Sequence, residues 1–397
     1  MEYDLIAVAN DATFELRGFV NLYDQLVSHL DTACSICVDL QYPSFFGLAG
    51  IVPLIALISE YSARGWVFDI AIPQEPLMAA YWQSTGWLQA ILEEELPNSL
   101  LQKTYTPIVR FDNHHTLNAA ISDALNVLSI SSEYPTGVLS AIEWTLNEIA
   151  DNVLVHSRAS GWMQVIARPS KKTIDFVVAD CGIGIPSSLR TSYPQLASDE
   201  DALNLAIERG VTRDKTVGQG NGLAGSVRIA EAMGGWLNIV SESAMLRIFN
   251  DKSRKSLGLN RFPGTFVEFT IPTTATVDLT DALWGHTPSS TFEFSHLNRS
   301  GILFMLANED STFGNRASGA DLAIRLRNIM NENPKELVII DFAGIDLTSA
   351  SFLDEFLGKL MKRFGIASFH RRVQLINMAP FIERTLDEVL AQRMREE

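Results

Sequence analysis

"TGVLSAIEWTLNEIADNVLVHS", residues 136–157, reads as one long helix, and the polar residues on its flank decide what the middle of the chain is. Leu139, Ile142, Leu146, Ile149 and Val153 recur at steps of three and four, which lays an apolar stripe along one face for packing on a sheet. Glu148, Asn152 and His156 follow at four-residue steps on a neighbouring stripe. A carboxylate and a carboxamide one turn apart can hold a divalent cation and orient a water, Asn152 offering a neutral oxygen and Glu148 a base. The same spacing is also that of an ordinary solvated face. Glu143 and Asn147 repeat it in a second register, so the helix alone fixes neither reading.

The next segments narrow the choice. "VVADCGIGIP" (177–186) ends an apolar strand on Asp180 and follows it at once with Gly182 and Gly184. An acceptor at a strand end suits an exocyclic amine such as that of adenine, and glycines let backbone approach a flat ring. "GQGNGLAGSVRIAEAMGG" (218–235) then sets Gly218, Gly220 and Gly222 directly before a helical run, where backbone amides at a helix N-terminus cradle phosphates. Alone, these glycines read equally as a turn. They fit neither the Rossmann fingerprint nor a Walker loop, which needs a lysine.

In this order the pieces resemble the GHKL ATPase superfamily of histidine kinases, gyrase-like and Hsp90-like ATPases and anti-sigma-factor serine kinases, over roughly residues 105–272. The resemblance implies a sandwich fold and a site for ATP and Mg²⁺. It makes Glu148 the general base and Asn152 the Mg²⁺ ligand. It gives Asp180, Gly182, Gly184 and Ile185 to the adenine, with Thr265 of "GTFVEFTIP" beside them. Gly218, Gly220, Asn221, Gly222 and Leu223 become the phosphate loop. "ERGVTRDKTVGQG" (208–220) resembles the end of an ATP lid, where Arg213 or Lys215 would reach the γ-phosphate. His156 has two readings, a family histidine at this step or a cap favoured by the helix dipole. "DNHHTL" (112–117) lacks the acidic neighbour and helical hairpin of a phosphoacceptor histidine.

Two smaller α/β regions flank this one. Before it, "ACSICVDL" (33–40), the apolar run "FFGLAGIVPLIALIS" (45–59), "WVFDIAIP" (66–73) and "LMAAYWQSTGWLQAILEEEL" (77–96) alternate strand and helix, which implies parallel pairing over residues 1–104. After it, the polar stretch 273–290 reads as a linker to a third unit, 291–397. There "VIIDFAGIDLTSASFLDEFLGKL" (338–360) resembles STAS-like domains, which include anti-sigma-factor antagonists, and the first region shares its pattern. The fold class expected is thus α/β and α+β, a central GHKL sandwich flanked by two small STAS-like domains. In the antagonists a loop serine is phosphorylated. Here Ala350 falls near that place, with Ser349 and Ser351 as neighbours that N-capping also explains.

Composition limits the partners. A formal charge of -16 opposes binding to phosphate backbones or anionic lipid, so neither nucleic acid nor membrane is expected. The longest apolar run has fifteen residues and contains Pro53, short of the ~20 that span a bilayer. The acidic start "MEYDLIAVAND" lacks a basic n-region, which places the chain in the cytoplasm. Cys34, Cys37 and Cys181 make no disulfide framework, and "CSIC" in a strand points its cysteines to opposite faces. The function expected is a Mg-ATP-dependent regulatory switch that controls a protein partner through its STAS-like domains. A serine kinase and a non-catalytic ATP-binding scaffold are the alternatives, and family behaviour implies a homodimer.

Overall fold

The computed structural model describes residues 3–27, 29, 35–92, 94, 104–132, 134–135, 137–211, 222–249, 252–255, 260–284, 301–309, 313–332 and 336–395. Its contacts divide into two compact units, Met1–Leu139 with Glu148–Val277, and Ser140–Asn147 with Asp278–Glu397.

The first unit opens with β1 (Leu5–Val8), β2 (Thr13–Phe14), α1 (Leu16–Val27), β3 (Ser35–Asp39), β4 (Phe45–Phe46), α2 (Leu48–Ala63), β5 (Val67–Ala71), α3 (Pro76–Ser84) and α4 (Trp87–Leu92). β1, β3 and β5 form the expected parallel sheet. The helical run after β5 is two helices, because Gly86 takes a φ of +75° between them.

The chain continues through β6 (Val109–Phe111), α5 (His114–Ser131), α6 (Val138–Asn152), whose stretch Ser140–Asn147 is counted with the second unit, a π-helical turn (Val153–Ser157), β7 (Gly161–Arg168), β8 (Thr173–Asp180), α7 (Ile185–Arg190), α8 (Asp199–Ala206), α9 (Gly222–Met233), β9 (Trp236–Glu242), β10 (Ala244–Phe249), β11 (Lys252–Lys255) and β12 (Phe262–Pro272). The seven strands form one sheet in the order β11-β10-β9-β12-β8-β7-β6, with every neighbouring pair antiparallel. "DNHHTL" is a helix start: Asn113 caps α5 by accepting from the Thr116 amide, and the Thr116 hydroxyl reaches back.

The boundary expected near residue 104 does not divide the core. Every residue of α2 from Leu48 to Ile58 is buried, and one apolar cluster joins them to Ile36 and Val38 of the small sheet and to Ile166, Val177 and Phe266 of the large one. That explains a helix apolar all round, which must bury two faces. Phe19 of α1 meets Phe262 and Phe266 edge-on, and Trp87 Nε1 donates to Gln164 Oε1 at 2.7 Å. The large sheet thus has the first region built onto one of its faces.

The second unit holds α10 (Leu279–Trp284), β13 (Ile302–Met305), α11 (Arg316–Glu332), β14 (Val338–Asp341), α12 (Ala350–Leu353), a π-helical turn (Asp354–Gly358), α13 (Lys359–Phe364), α14 (Ile366–Arg372), β15 (Val373–Ile376) and α15 (Pro380–Arg395). β13, β14 and β15 pair in parallel, the same strand–helix alternation as β1, β3 and β5. The stretch read as a linker carries α10, whose Leu279 and Leu283 are buried, so its polar composition hid a short packed helix.

Candidate functional site

The apolar stripe of α6 lies where the periodicity places it: Ile142, Leu146, Ile149 and Val153 are buried, and Leu139 is half-buried. Glu148 and Asn152 are half-buried beside it, and His156 lies in the π-helical turn that follows Asn152. The structure separates the two registers that the helix left open. Asn147 is buried and donates to the Glu143 carbonyl at 2.8 Å, with Gly314 against its amide. Glu148 instead meets the start of α9. A Cβ on Gly222 would fall 2.3 Å from Glu148 Oε2, so the first residue of this twelve-residue helix must be glycine for the carboxylate to lie there.

The π-helical turn that follows α6 meets the loop after β8. The Ile183 amide donates to the Ser157 carbonyl at 3.0 Å, and Gly182 packs on that carbonyl so closely that its Cβ would meet it at 2.2 Å. Asp180, at the end of β8, is 3% exposed and accepts from the Gly182 amide at 2.8 Å. Burial pushes its carboxyl up to about 7, while the Gly182 and Thr265 amides pull the other way. Thr265 stands opposite Asp180 in the β8–β12 ladder. Gly184 turns the chain into α7, which begins at Ile185.

Glu148 thus meets Gly222 at the α9 start, the end of the α6 segment at Ser157 meets Gly182 and Ile183, and Asp180 faces Thr265 in the ladder just before Gly182, Gly184 and Ile185; Asn152 lies one turn beyond Glu148 on α6, and Leu223 is in the first turn of α9. Arg213, Lys215, Gly218, Gly220 and Asn221 lie outside the described residues. Two residues missed in the sequence belong to the junction. Ser241 Oγ accepts from the Ile185 amide at 2.9 Å and lies 2.8 Å from Thr265 Oγ1, and Glu242 Oε1 accepts from the Ser187 amide at 2.7 Å. Their one signal was a polar pair closing the apolar strand "WLNIV".

The donor set suits the expected ligands. Asn152 and Glu148 supply hard oxygens of the kind Mg²⁺ takes, and this ion draws its other ligands from phosphates and water. Among the described residues there is no cluster of three or more His, Cys, Asp or Glu side chains suited to a metal. At Gly182 and Gly222 the space a Cβ would take is held by the Ser157 carbonyl and the Glu148 carboxylate, so both positions need glycine for these close approaches within the chain.

Comparison with known families agrees with the geometry. Residues 137–275 match the histidine kinase-, DNA gyrase B-, and HSP90-like ATPase domain, and the middle of the chain is an ATPase domain of that kind, which supports ATP binding. Residues 322–382 match a STAS-like domain of unknown function, so the particular architecture is a GHKL ATPase domain followed by a STAS-like one. No curated protein matches the chain. No helix among the described residues is long and apolar enough to cross a membrane.

Proposed function

We propose that this protein binds Mg-ATP at the α6–β8–α9 junction and hydrolyses it as a regulatory switch, using nucleotide state to control a protein partner through its STAS-like domain. The observation that carries this reading is the Glu148 carboxylate lying against Gly222 at the α9 N-terminus, where backbone amides favour phosphate. In this reading Asp180 accepts the adenine amine and Thr265 lines the same edge. Asn152 holds Mg²⁺ through its carboxamide oxygen, and Glu148 orients and deprotonates the attacking water. Bound Mg²⁺ neutralises phosphate charge.

Hydrolysis is preferred over phosphorylation of the chain's own STAS-like loop. Ser349 is buried and its Oγ accepts from the Phe352 amide at 3.0 Å as the cap of α12. That bond gives the serine a structural use. The test is incubation of wild type and Glu148→Ala with Mg²⁺ and γ-labelled ATP, following free phosphate and protein-bound label together. Phosphate release lost in the variant is expected. Label on Ser349 or Ser351 would restore the kinase reading, and ATP retained with neither product would leave a binding scaffold.

A further inference from the structure

We propose, resting on the reading of this junction as an ATP site, that Tyr23 and Asp24 of α1 are positioning residues for the adenine loop, residues 182–187, acting through Arg261 and Glu242. Asn260 and Arg261 lead into β12 just before its register shifts between Phe262 and Thr265. Both are tied to α1. The buried Tyr23 donates its hydroxyl to the Arg261 carbonyl at 2.5 Å, and Asn260 Nδ2 donates to Asp24 Oδ1 at 2.8 Å. The Tyr23 ring also packs against Phe262.

From Arg261 the chain of contacts runs to the loop. Its guanidinium pairs with Glu242 Oε2 at 2.8 Å, and the other oxygen of Glu242 accepts from the Ser187 amide at 2.7 Å. Glu242 is 3% exposed and sits at a φ of +52°, a left-handed conformation that a non-glycine residue holds only where its surroundings impose it. Ser241 beside it takes the Ile185 amide. Two loop amides thus end on Ser241 and Glu242, Glu242 pairs with Arg261, and the Arg261 backbone is held by α1. The contacts of Tyr23 and Glu242 run to Arg261 and to the loop amides, so their effect falls on adenine recognition and leaves the chemistry alone.

The experiment compares the full chain with Tyr23→Phe, which keeps the ring contacts and removes only the hydroxyl, and with Glu242→Gln. Amide hydrogen exchange at Ile185 and Ser187 is measured without nucleotide, and binding is measured for ATP and for inorganic triphosphate. Tyr23→Phe is expected to quicken exchange at these amides about five- to tenfold and to weaken ATP by a similar factor, with triphosphate unchanged. The double variant is expected to be no weaker than Glu242→Gln alone, since both act along one path. Unchanged exchange in Tyr23→Phe overturns the proposal, as does equal loss of ATP and triphosphate. Quickened exchange in a chain whose wild type binds no ATP supports the brace and overturns the ATP reading instead.

Discussion

Glu148 and Gly222 occupy the same small space: a methyl group on residue 222 would come within 2.3 Å of the Glu148 Oε2 atom. The atom it would meet is the far end of a flexible side chain, so the carboxylate can swing aside without disturbing the fold. Gly222→Ala is therefore expected to leave thermal stability nearly unchanged while moving Glu148, the base of the proposed reaction, off its position. Displacement of a catalytic group by about 1 Å can lower turnover about 10²-fold. Steady-state phosphate release set beside the melting curve checks this. A variant with wild-type turnover would remove Glu148 from the reaction.

Asp180 makes stability depend on pH. Its folded value of about 7 lies above its ordinary 3.8, so between those two pH values the folded chain holds a proton that the unfolded chain has released. Stability contributed by this group is full below about pH 4 and is lost as pH rises to about 7. Three pKa units correspond to at most about 4 kcal/mol. Asp180→Asn removes this contribution, so chemical denaturation from pH 4 to 8 is expected to show a flatter dependence than wild type. Glu268, also pushed up to about 7 by burial, keeps part of the slope in both. Identical slopes would mean that the Asp180 carboxyl is not held protonated by burial.

What the sequence disclosed about this site followed from local chemistry. The stripe on α6, the strand ending on Asp180 and the glycines before α9 each obey spacing rules of a few residues. The choice between Glu143–Asn147 and Glu148–Asn152 did not, because both pairs share one spacing and only the neighbour across space, Gly222 or Gly314, tells them apart. Ser241 and Glu242 escaped for the same reason, since their partners Ile185 and Ser187 are 55 or 56 residues away. The strands β10 and β11 were also missed, and the region 1–104 was read as self-contained because an apolar helix does not announce how many sheets it serves.

The shared core predicts cooperative loss. Leu54 of α2 is fully buried in the cluster that joins the small sheet to the ATPase sheet. Leu54→Ala is expected to cost about 2–5 kcal/mol. Because both sheets contribute to that cluster, fluorescence of the buried Trp82 and Trp87 and nucleotide binding should be lost at the same denaturant concentration. Two separated transitions would show that the first region folds by itself.

The STAS-like unit rests on a buried ion pair. Asp354 begins a π-helical turn at 1% exposure, and Arg393 of α15 grips it with two bonds, Nε to Oδ1 at 2.7 Å and a second guanidinium nitrogen to Oδ2 at 2.5 Å. Asp354→Ala removes one charge and takes this partner from Arg393, whose side chain is 12% exposed, which is expected to cost about 3–5 kcal/mol. Replacing both partners by apolar residues of similar size, Asp354→Leu with Arg393→Met, removes both charges of this pair together. That double variant is expected to recover most of the loss in urea unfolding followed by circular dichroism. If it is as unstable as Asp354→Ala, the pair contributes through geometry that no apolar contact replaces, and the desolvation argument fails here.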